Sequence, residues 1–293
     1  MASTERSHYR CWHRLRVRWA EVDMQKVVFN AHYLMYVDTA VSDYWRAMHV
    51  PYEAALQHLG GDIFVKKATV EYHASARFDD VLAIGVRCAR VGNSSMVFEA
   101  VIYRGDTLVV SCELVYVYTG VTNPTPQPVP AALRAVLDAY EGGQQMAQLQ
   151  VGDWSLVQAP TSALRDEVFV QEQGIGAHMV WDDADAQAVH ALVCNHLGQP
   201  VASGRMVEHA PRVARIGRMA VSQPLRGSHL GRQVLFALVD AARQRWDTEV
   251  MLHAQLSAQG FYTRLGFATR GSVFEEAGIQ HIEMHVPLVS KAQ

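Results

Sequence analysis

The chain has little of the uninterrupted hydrophobic sequence that membrane and secreted proteins carry. No apolar run reaches the roughly 18 residues that a membrane-spanning helix needs. The opening stretch, MASTERSHYRCWHRLRVRW, is broken throughout by charged and polar residues, unlike the apolar core of a secretory signal. We therefore expect a cytoplasmic protein.

Cysteine is also sparse and gives no sign of disulfide or metal chemistry. The four cysteines lie far apart, without C-x-x-C spacing, which predicts free and mostly buried thiols in a reducing compartment. The sequence has no H-E-x-x-H pattern or carboxylate cluster, and none of its 14 histidines has the spacing of metal ligands. We expect no metal site and no tightly bound cofactor.

An excess of positive charge is missing too. Lys and Arg number 26 against 29 Asp and Glu, a net charge of −3, which argues against non-specific binding to nucleic acid. What the chain does have is length and apolar content. Its 293 residues, 49% of them hydrophobic, are enough for two globular domains.

A proline-rich seam divides the sequence. The segment Thr119–Pro130 holds four prolines in seven residues, which can continue neither a helix nor a strand ladder. A short helical stretch follows, and then a polar, glycine-containing stretch. We predict a first domain over residues 10–140, a linker over 141–152 and a second domain over 153–293.

The first domain has the pattern of an α+β fold. Apolar residues recur at spacings of three and four from Leu34 to Met48, which predicts a long helix with one buried face. The pattern then changes to runs rich in β-forming residues, separated by turn signals such as Gly92-Asn93 and Gly105-Asp106. The predicted strands of this antiparallel meander are Ile63–Phe78, Val81–Val91, Met96–Tyr103 and Leu108–Tyr118.

In the second domain, strands and helices alternate, which predicts a mixed α/β sheet. The predicted helices are Ser162–Gln173, Leu230–Trp246 and Leu256–Leu265. The predicted strands are Trp154–Ala159, Val189–Leu197, Val201–Glu208, Ala214–Val221, Val250–Ala254, Phe267–Arg270 and His281–Val286.

The segment RVRWAEVDMQKVVFNAHY, from Arg16 to Tyr33, resembles the 4-hydroxybenzoyl-CoA thioesterase branch of the hot-dog superfamily. The shared pattern is a turn Asp, a few apolar residues, and Asn-x-x-Tyr opening the long helix. The resemblance implies that Asp23 attacks a thioester carbonyl or activates water, and that the amide of Asn30 polarises the carbonyl. It also implies a homo-oligomer, dimer or tetramer, because hot-dog domains pair through their sheets.

Two departures near Asp23 qualify this resemblance, since relatives often have Gly where Lys26 stands and Pro-Ala where Met24-Gln25 stand. Relatives also usually carry Glu where Asp38 stands. Asp38 is a candidate second polar group near the site. His32, on the first helical turn, is expected to form a structural hydrogen bond.

A second candidate site begins at the strand–turn–helix sequence RMAVSQPLRGSHLG, residues 218–231. A helix that opens directly after a turn presents unpaired amides and the positive end of its dipole, which suits a pyrophosphate. Arg226 and Arg232 add positive charge beside it. The stretch resembles the acyl-CoA signature of the GNAT N-acetyltransferase superfamily, with His229 where that family usually has Gly.

This second resemblance covers about residues 153–288 and implies roles for further residues. The backbone of Met219, Ala220 and Val221 would bind the pantetheine arm, and Tyr262 would protonate the departing thiolate. The amides implied to hold the pyrophosphate belong to Gly227, Ser228, His229, Leu230 and Gly231. For the base that activates the acceptor amine, Glu172 is preferred over Asp182, Asp183 and His281.

Together these patterns predict a bifunctional enzyme that uses acyl-CoA or acetyl-CoA as substrate. The first domain would hydrolyse an acyl-CoA thioester, and the second would transfer an acyl group to a small amine. Two alternatives stay open. One is a thioesterase with a non-catalytic, CoA-sensing GNAT-like domain, and the other is a non-catalytic protein that binds acyl ligands and oligomerises.

Overall fold

The computed structural model describes residues 3–121 and 125–288 and divides the chain into two compact units. The first unit ends at Met146 and the second begins at Ala147. Residues 122–124 of the predicted seam and residues 289–293 of the predicted second domain lie outside the described residues. No helix in the described part of the chain has the length and apolar character needed to cross a membrane.

The first unit is a five-stranded antiparallel sheet with one long helix. Its elements are β1 (Cys11–Arg16), α1 (Asn30–Ala47), α2 (Tyr52–His58), β2 (Gly61–Tyr72), β3 (Val81–Val91), β4 (Ser95–Arg104), β5 (Thr107–Gly120) and α3 (Ala131–Glu141). The strands lie in the order β1-β3-β4-β5-β2, and every neighbouring pair is antiparallel. The predicted plan of a long helix followed by an antiparallel meander is confirmed.

Helix α1 buries one face against this sheet. Its buried residues recur at the spacing of a single helix face. They are Tyr33, Tyr36, Val37, Ala40, Val41, Tyr44 and Trp45. The ring of Tyr44 meets Phe98 of β4 edge-to-face, with 5.4 Å between the ring centroids. Burial of this aromatic face fixes the helix, and with it the position of its first residue, Asn30.

The second unit is a seven-stranded mixed sheet with helices. Its elements are β6 (Ala147–Gly152), α4 (Trp154–Arg165), a π-helical segment (Asp166–Glu172), α5 (Ala177–Val180), β7 (Val189–Asn195), β8 (Pro200–Ala210), β9 (Val213–Val221), α6 (Leu230–Gln244), β10 (Glu249–Gln255), α7 (Gln259–Arg264), β11 (Ala268–Glu276) and β12 (Ile279–Pro287). The strands lie in the order β11-β12-β10-β9-β8-β7-β6, and β9 and β10 are parallel. The predicted mixed sheet is confirmed.

Two stretches differ from the sequence prediction. Part of the predicted linker is an edge strand, because Ala147–Gly152 finds the free hydrogen-bonding edge of β7 and pairs with it along its whole length. The predicted strand Trp154–Ala159 is the start of helix α4 instead. The buried positions of that helix, Val157, Thr161 and Leu164, follow helical spacing, which overrides the local strand-like composition.

All four cysteines are unpaired, and Cys11, Cys88 and Cys112 are buried. Burial raises the pKa of the Cys88 thiol and of the Cys112 thiol to about 12 each. A thiol needs to ionise to act as a nucleophile, so these side chains behave as small apolar groups in the core.

The second unit depends on a close approach between β8 and helix α6. At Gly204 of β8, an added Cβ atom would lie 2.5 Å from the Met219 sulfur and 2.9 Å from Val234 Cγ1. Gly204 also faces a bulge in β9, because Ser203 pairs with Ala220 while Arg205 pairs with Gly217. Only glycine allows the helix to reach the sheet at this point.

We expect Gly204→Ala to destabilise the protein by about 1–3 kcal/mol, since the extra methyl group overpacks the contact between sheet and helix. Chemical denaturation, followed through the unfolding transition of the second unit, measures the change in the free energy of unfolding. Gly217→Ala on the neighbouring strand is the matched control, because no atom lies within 4 Å of a Cβ built there. Equal stability of the two variants would contradict the packing argument.

Candidate functional site

The central feature of the second unit is a gap between two parallel strands. β9 and β10 pair only from Val213 and Glu249 to Ile216 and Leu252. Beyond that point β9 stays paired with β8, and β10 stays paired with β12. The two facing strand edges therefore lack a partner on one side, and a cavity of about 230 Å³ opens there.

The walls of this cleft combine backbone edges, apolar side chains and titratable groups. The lining includes Gly217, Arg218 and Met219 from β9, together with Gln255 and Ala258 at the end of β10. A strand edge with free amides and carbonyls binds an extended, amide-containing chain in the manner of an added strand.

A loop rich in unpaired amides joins β9 to α6. Gly227 and His229 both have left-handed backbone, with φ of +85° and +67°, and His229 is the residue before the helix. Within the described residues, the amides of Gly227, His229, Leu230, Gly231 and Arg232 have no hydrogen-bond acceptor. Five unpaired amides at the N-terminus of a 15-residue helix form a site suited to an anion.

The two arginines of this loop differ in their partners. Arg226 pairs with Glu172 through two bonds, Nη1–Oε1 of 2.7 Å and Nη2–Oε2 of 2.6 Å. Arg232 lies over the Phe236 ring at 5.0 Å from its centroid, and no carboxylate pairs with it in the described structure. Of these two arginines, Arg232 therefore keeps its charge available beside the unpaired amides.

The pairing with Arg226 bears directly on Glu172, the residue preferred from the sequence as the base. Both of its carboxylate oxygens accept hydrogen bonds from the guanidinium, and it is not among the residues that line the cleft. The structure therefore joins Glu172 to the anion site rather than to the cleft.

Tyr262 lines the cleft from helix α7 and is 7% exposed. Its ring packs edge-to-face against Phe261 and Phe267, at centroid distances of 4.9 and 5.9 Å. Burial raises the pKa of its phenol to about 12, so the hydroxyl keeps its proton at neutral pH.

A buried ion network holds the bulged part of β9. Arg165, fully buried, donates from Nη1 to both oxygens of Asp185 at 2.9 Å, and Arg205 Nη1 lies 2.7 Å from Asp185 Oδ1. Arg205 also forms two bonds of 2.6 Å with Asp182, and Arg218 at the bulge reaches Asp182 at 3.1 Å. The network ties helix α4, strand β8 and the cleft wall together.

The structure places the three other base candidates in different surroundings. Hydrogen bonding from Arg205 lowers the pKa of Asp182 to about 2, so Asp182 is an ion-pair partner rather than a base. Asp183 lies exposed in a short 3-10 helix. His281 does line the cleft, but its Nδ1 lies 2.8 Å from the Ile279 carbonyl oxygen, a local structural bond.

The cleft contains a side-chain cluster that the sequence analysis missed. His253 Nδ1 lies 2.9 Å from Glu276 Oε2 and 2.9 Å from Arg215 Nη2, and all three residues line the cavity. A single histidine in the otherwise apolar strand Val250–Ala254 was the one signal for this cluster. Glu276 comes from a hairpin whose approach to β10 no local pattern reveals.

In the first unit, Asp23 lies in a tight turn that leads into helix α1. Its N–H donates to the Val27 carbonyl at 2.9 Å, and its Oδ1 accepts from the Gln25 amide at 2.8 Å. Oδ2 has no partner in the described residues. Lys26 completes the turn with a left-handed φ of +61°, the conformation for which the resembling family uses glycine.

The start of α1 offers unpaired amides on the same short loop. An antiparallel bridge joins Val22 to Val28, two residues before Asn30, so the turn is anchored to the helix start. The Asn30 amide has no acceptor in the part of the chain that the structure describes. His32 Nδ1 lies 3.1 Å from the Glu21 carbonyl, which confirms its structural hydrogen bond. Asp38 is exposed on the next turns of α1.

Family models match both units of the chain. A thioesterase superfamily model matches residues 25–111, beginning just after Asp23, and an acetyltransferase (GNAT) domain model matches residues 160–288. YyaT of Bacillus subtilis (strain 168), described as an uncharacterized protein, is 33% identical over 126 residues, covering 41% of this chain and 82% of YyaT. The chain joins a thioesterase-superfamily domain to a GNAT domain.

Two further proteins are similar to parts of this fusion. ElaA of Escherichia coli (strain K12) is 41% identical over 70 residues, which are 24% of this chain and 46% of ElaA. A crystal structure of a thioesterase from Thermus thermophilus, complexed with coenzyme A and Zn, is 24% identical with a TM-score of 0.41, covering 46% of this chain and 96% of that one. The presence of thioesterase and GNAT domains supports an acyl-CoA-related activity.

We expect His229→Gly to be tolerated and His229→Val to be destabilising relative to it by about 1–2 kcal/mol. A β-branched residue is strained in left-handed backbone, whereas glycine adopts it freely. Thermal unfolding of the full chain carrying either substitution measures the difference in stability between the two variants. If the valine variant proves as stable as the glycine variant, the left-handed conformation of residue 229 is contradicted.

Proposed function

We propose that the chain is a bifunctional acyl-CoA enzyme. Its thioesterase domain hydrolyses an acyl-CoA thioester, and its GNAT domain transfers an acetyl or other acyl group from CoA to an amine. The observation that carries the transferase proposal is the gap between β9 and β10, together with the five unpaired amides in the stretch that follows β9 along the chain. The gap suits an extended pantetheine arm, and the amides suit a pyrophosphate.

The proposed transfer uses Met219 and Tyr262, which line this gap, and backbone groups that follow Met219 along the chain. The pantetheine arm lies along the backbone of Met219, Ala220 and Val221, and the pyrophosphate accepts hydrogen bonds from the unpaired amides of Gly227, His229, Leu230, Gly231 and Arg232. The amide of Ser228, included in the sequence prediction, donates instead to the Leu225 carbonyl. The acceptor nitrogen attacks the carbonyl carbon, the C–S bond breaks, and the sulfur leaves with the electron pair. Tyr262, protonated at neutral pH, donates its proton to that thiolate.

The proposed hydrolysis uses the turn before α1. Oδ2 of Asp23 attacks the thioester carbonyl carbon, or removes a proton from the water that does so. The Asn30 amide, at the positive end of the 18-residue helix α1, stabilises the negative charge that develops on the carbonyl oxygen. The thiolate of CoA leaves. Where Asp23 itself attacks, water then hydrolyses the anhydride between Asp23 and the acyl group, and on either route the carboxylic acid is the second product.

We also propose that the thioesterase domain pairs with a second copy. β2 is an edge strand of its sheet, and Phe64, Val65 and Tyr72 on it are each about half exposed. Apolar side chains on a long unpaired edge are characteristic of a surface that another strand covers. A cytoplasmic location stays a prediction from the sequence.

The decisive experiment measures free-thiol release from acetyl-CoA, hexanoyl-CoA and 4-hydroxybenzoyl-CoA, each with and without a panel of amines. We expect Asp23→Asn to lower amine-independent release at least about 100-fold, since the reacting carboxylate is lost, and to leave any amine-dependent release unchanged. Asp106→Asn, an exposed turn carboxylate of the same domain, is the matched control.

The other outcomes distinguish the alternatives. If the protein hydrolyses thioesters and binds CoA tightly but shows no amine-dependent thiol release, the GNAT domain is a CoA-sensing domain and not a transferase. No turnover of any thioester would replace both activities by acyl-ligand binding. If Asp23→Asn hydrolyses thioesters at the wild-type rate, Asp23 is not a residue of the proposed site.

The pair between Arg226 and Glu172 gives a separate prediction for CoA binding. Because Glu172 neutralises Arg226 in the unliganded chain, we expect Glu172→Gln to bind CoA about two- to five-fold more tightly at low salt. Titration calorimetry with CoA measures the affinity. Asp166→Asn, on the same helical segment but bonded to Gln171, is the control, and unchanged or weaker binding by Glu172→Gln would contradict an anion at Arg226.

A further inference from the structure

His253 occupies a special position in the cleft wall. It is the first residue of β10 beyond Leu252, where pairing with β9 ends. Its side chain is 23% exposed, and the edge of its ring packs against Phe274, with 4.7 Å between ring centroids. The imidazole is therefore held in one orientation while still open to the cavity.

Two contacts with opposite requirements meet at His253 Nδ1. Burial opposes the ionisation of Glu276, but the bond from His253 and the charge of Arg215 outweigh it and lower the pKa of Glu276. A carboxylate only accepts hydrogen bonds, so the 2.9 Å contact with Glu276 Oε2 needs a proton on Nδ1. A guanidinium only donates, so the 2.9 Å contact with Arg215 Nη2 needs a lone pair on the same nitrogen. We assign the tautomer in which Nδ1 donates to the carboxylate of Glu276. Nε2 then carries the lone pair, and it has no partner in the described residues.

The surrounding elements contribute the other charges that face this ring. From β9, Arg215 lies 3.8 Å from Glu276 Oε1 and steadies that carboxylate. From β12, His281 stacks on Phe274, and Glu283, the cross-strand neighbour of His253, is held by Arg270. Glu276 is thus the carboxylate available to orient His253.

We propose that His253 is the base that takes the proton from the acceptor amine, and that Glu276 and Arg215 are positioning residues. This inference rests on the proposed transferase activity. Nε2 removes one proton from the ammonium form of the acceptor, which frees the nitrogen lone pair to attack the acyl carbonyl, and His253 later gives this proton to solvent through the open cleft. The nitrogen loses its second proton when the C–S bond breaks, and that proton replaces the one that Tyr262 gives to the thiolate.

The cluster also indicates the class of acceptor. The carboxylate of Glu276 is 42% exposed, so an ammonium group can approach it. Beside it the cleft is walled by the apolar side chains of Phe169, Ile175 and Met179. We infer that the acceptor is a primary amine joined to an apolar group, which places the nitrogen near His253 and the apolar part against this wall.

The test compares His253→Gln, Glu276→Gln and the control His209→Gln, an exposed histidine on β8. Acetyl-CoA is the donor, and the acceptors are 2-phenylethylamine, hexylamine and ethanolamine. The measurement is amine-dependent CoA release as a function of pH. In His253→Gln, the amide group can still donate a hydrogen bond to Glu276, but it cannot take up a proton. This variant therefore tests the role of His253 as a base separately from its hydrogen bond.

We expect His253→Gln to lower kcat at least about 100-fold, with little change in the KM for acetyl-CoA, and to abolish the acidic limb of the pH profile. Glu276→Gln should lower kcat less than His253→Gln does, and it should shift the acidic limb to a different pH. 2-Phenylethylamine and hexylamine should be better acceptors than ethanolamine.

Three results would overturn the inference, each in a different way. If the wild type transfers acyl groups and His253→Gln keeps its rate and its acidic limb, His253 is not the base, and the proposed function stands. If the wild type shows no amine-dependent release with any of these acceptors, the base assignment falls together with the transferase proposal. A preference for ethanolamine would overturn the apolar acceptor class alone.

Discussion

The buried ion network of Arg165, Asp185 and Arg205 is the constraint on which the second unit depends. Arg165 is fully buried, and burial of a guanidinium is costly unless counter-charges lie beside it. Asp185 and Asp182 supply those charges from a single short segment, and they reach β8 and β9 together. Because the partners come from separate elements, the network fixes the helix, the strand and the cleft wall in one arrangement.

The bulge in β9 follows from this arrangement. Arg218, with its left-handed φ of +52°, turns its guanidinium toward Asp182 and the carbonyls of Met179 and Val180. An extra residue in one strand rotates the backbone beyond it, so β9 turns away from β10. The same local feature thus opens the cleft, and Gly204 across the bulge lets helix α6 approach the sheet. The loop of unpaired amides follows β9 directly along the chain.

Much of this could be predicted from the sequence, because it rests on local patterns. The apolar spacing from Leu34 to Met48 predicts helix α1, and the span predicted for Val81–Val91 agrees with β3. Tyr262, to which the GNAT resemblance gives the role of general acid, lines the cleft. Residues whose surroundings come from distant segments were harder. Glu172 lies 54 positions from Arg226, and no spacing within the helical stretch shows that they pair.

His253 and Glu276 show the same limit more sharply. They are 23 residues apart, on strands separated by β12 in the sheet, and only the fold of the β11 hairpin brings them within 2.9 Å. Lys26 and His229 are the opposite case. In each, a residue stands where the resembling family uses glycine, yet the backbone keeps the left-handed conformation, with φ of +61° and +67°. The departure from the pattern changes the side chain and leaves the turn intact.

These two turns also explain how one physical device can serve two different reactions. Each leads into a long helix whose first amides have no acceptor in the described residues, so each offers a partial positive charge to an oxygen. The turn before the first helix carries the carboxylate of Asp23, which can attack a carbonyl carbon but repels a phosphate. Beside the second are Arg226 and Arg232, which attract a phosphate but cannot attack a carbonyl. The sign of one neighbouring charge therefore separates a proposed site of hydrolysis from a proposed site of CoA binding.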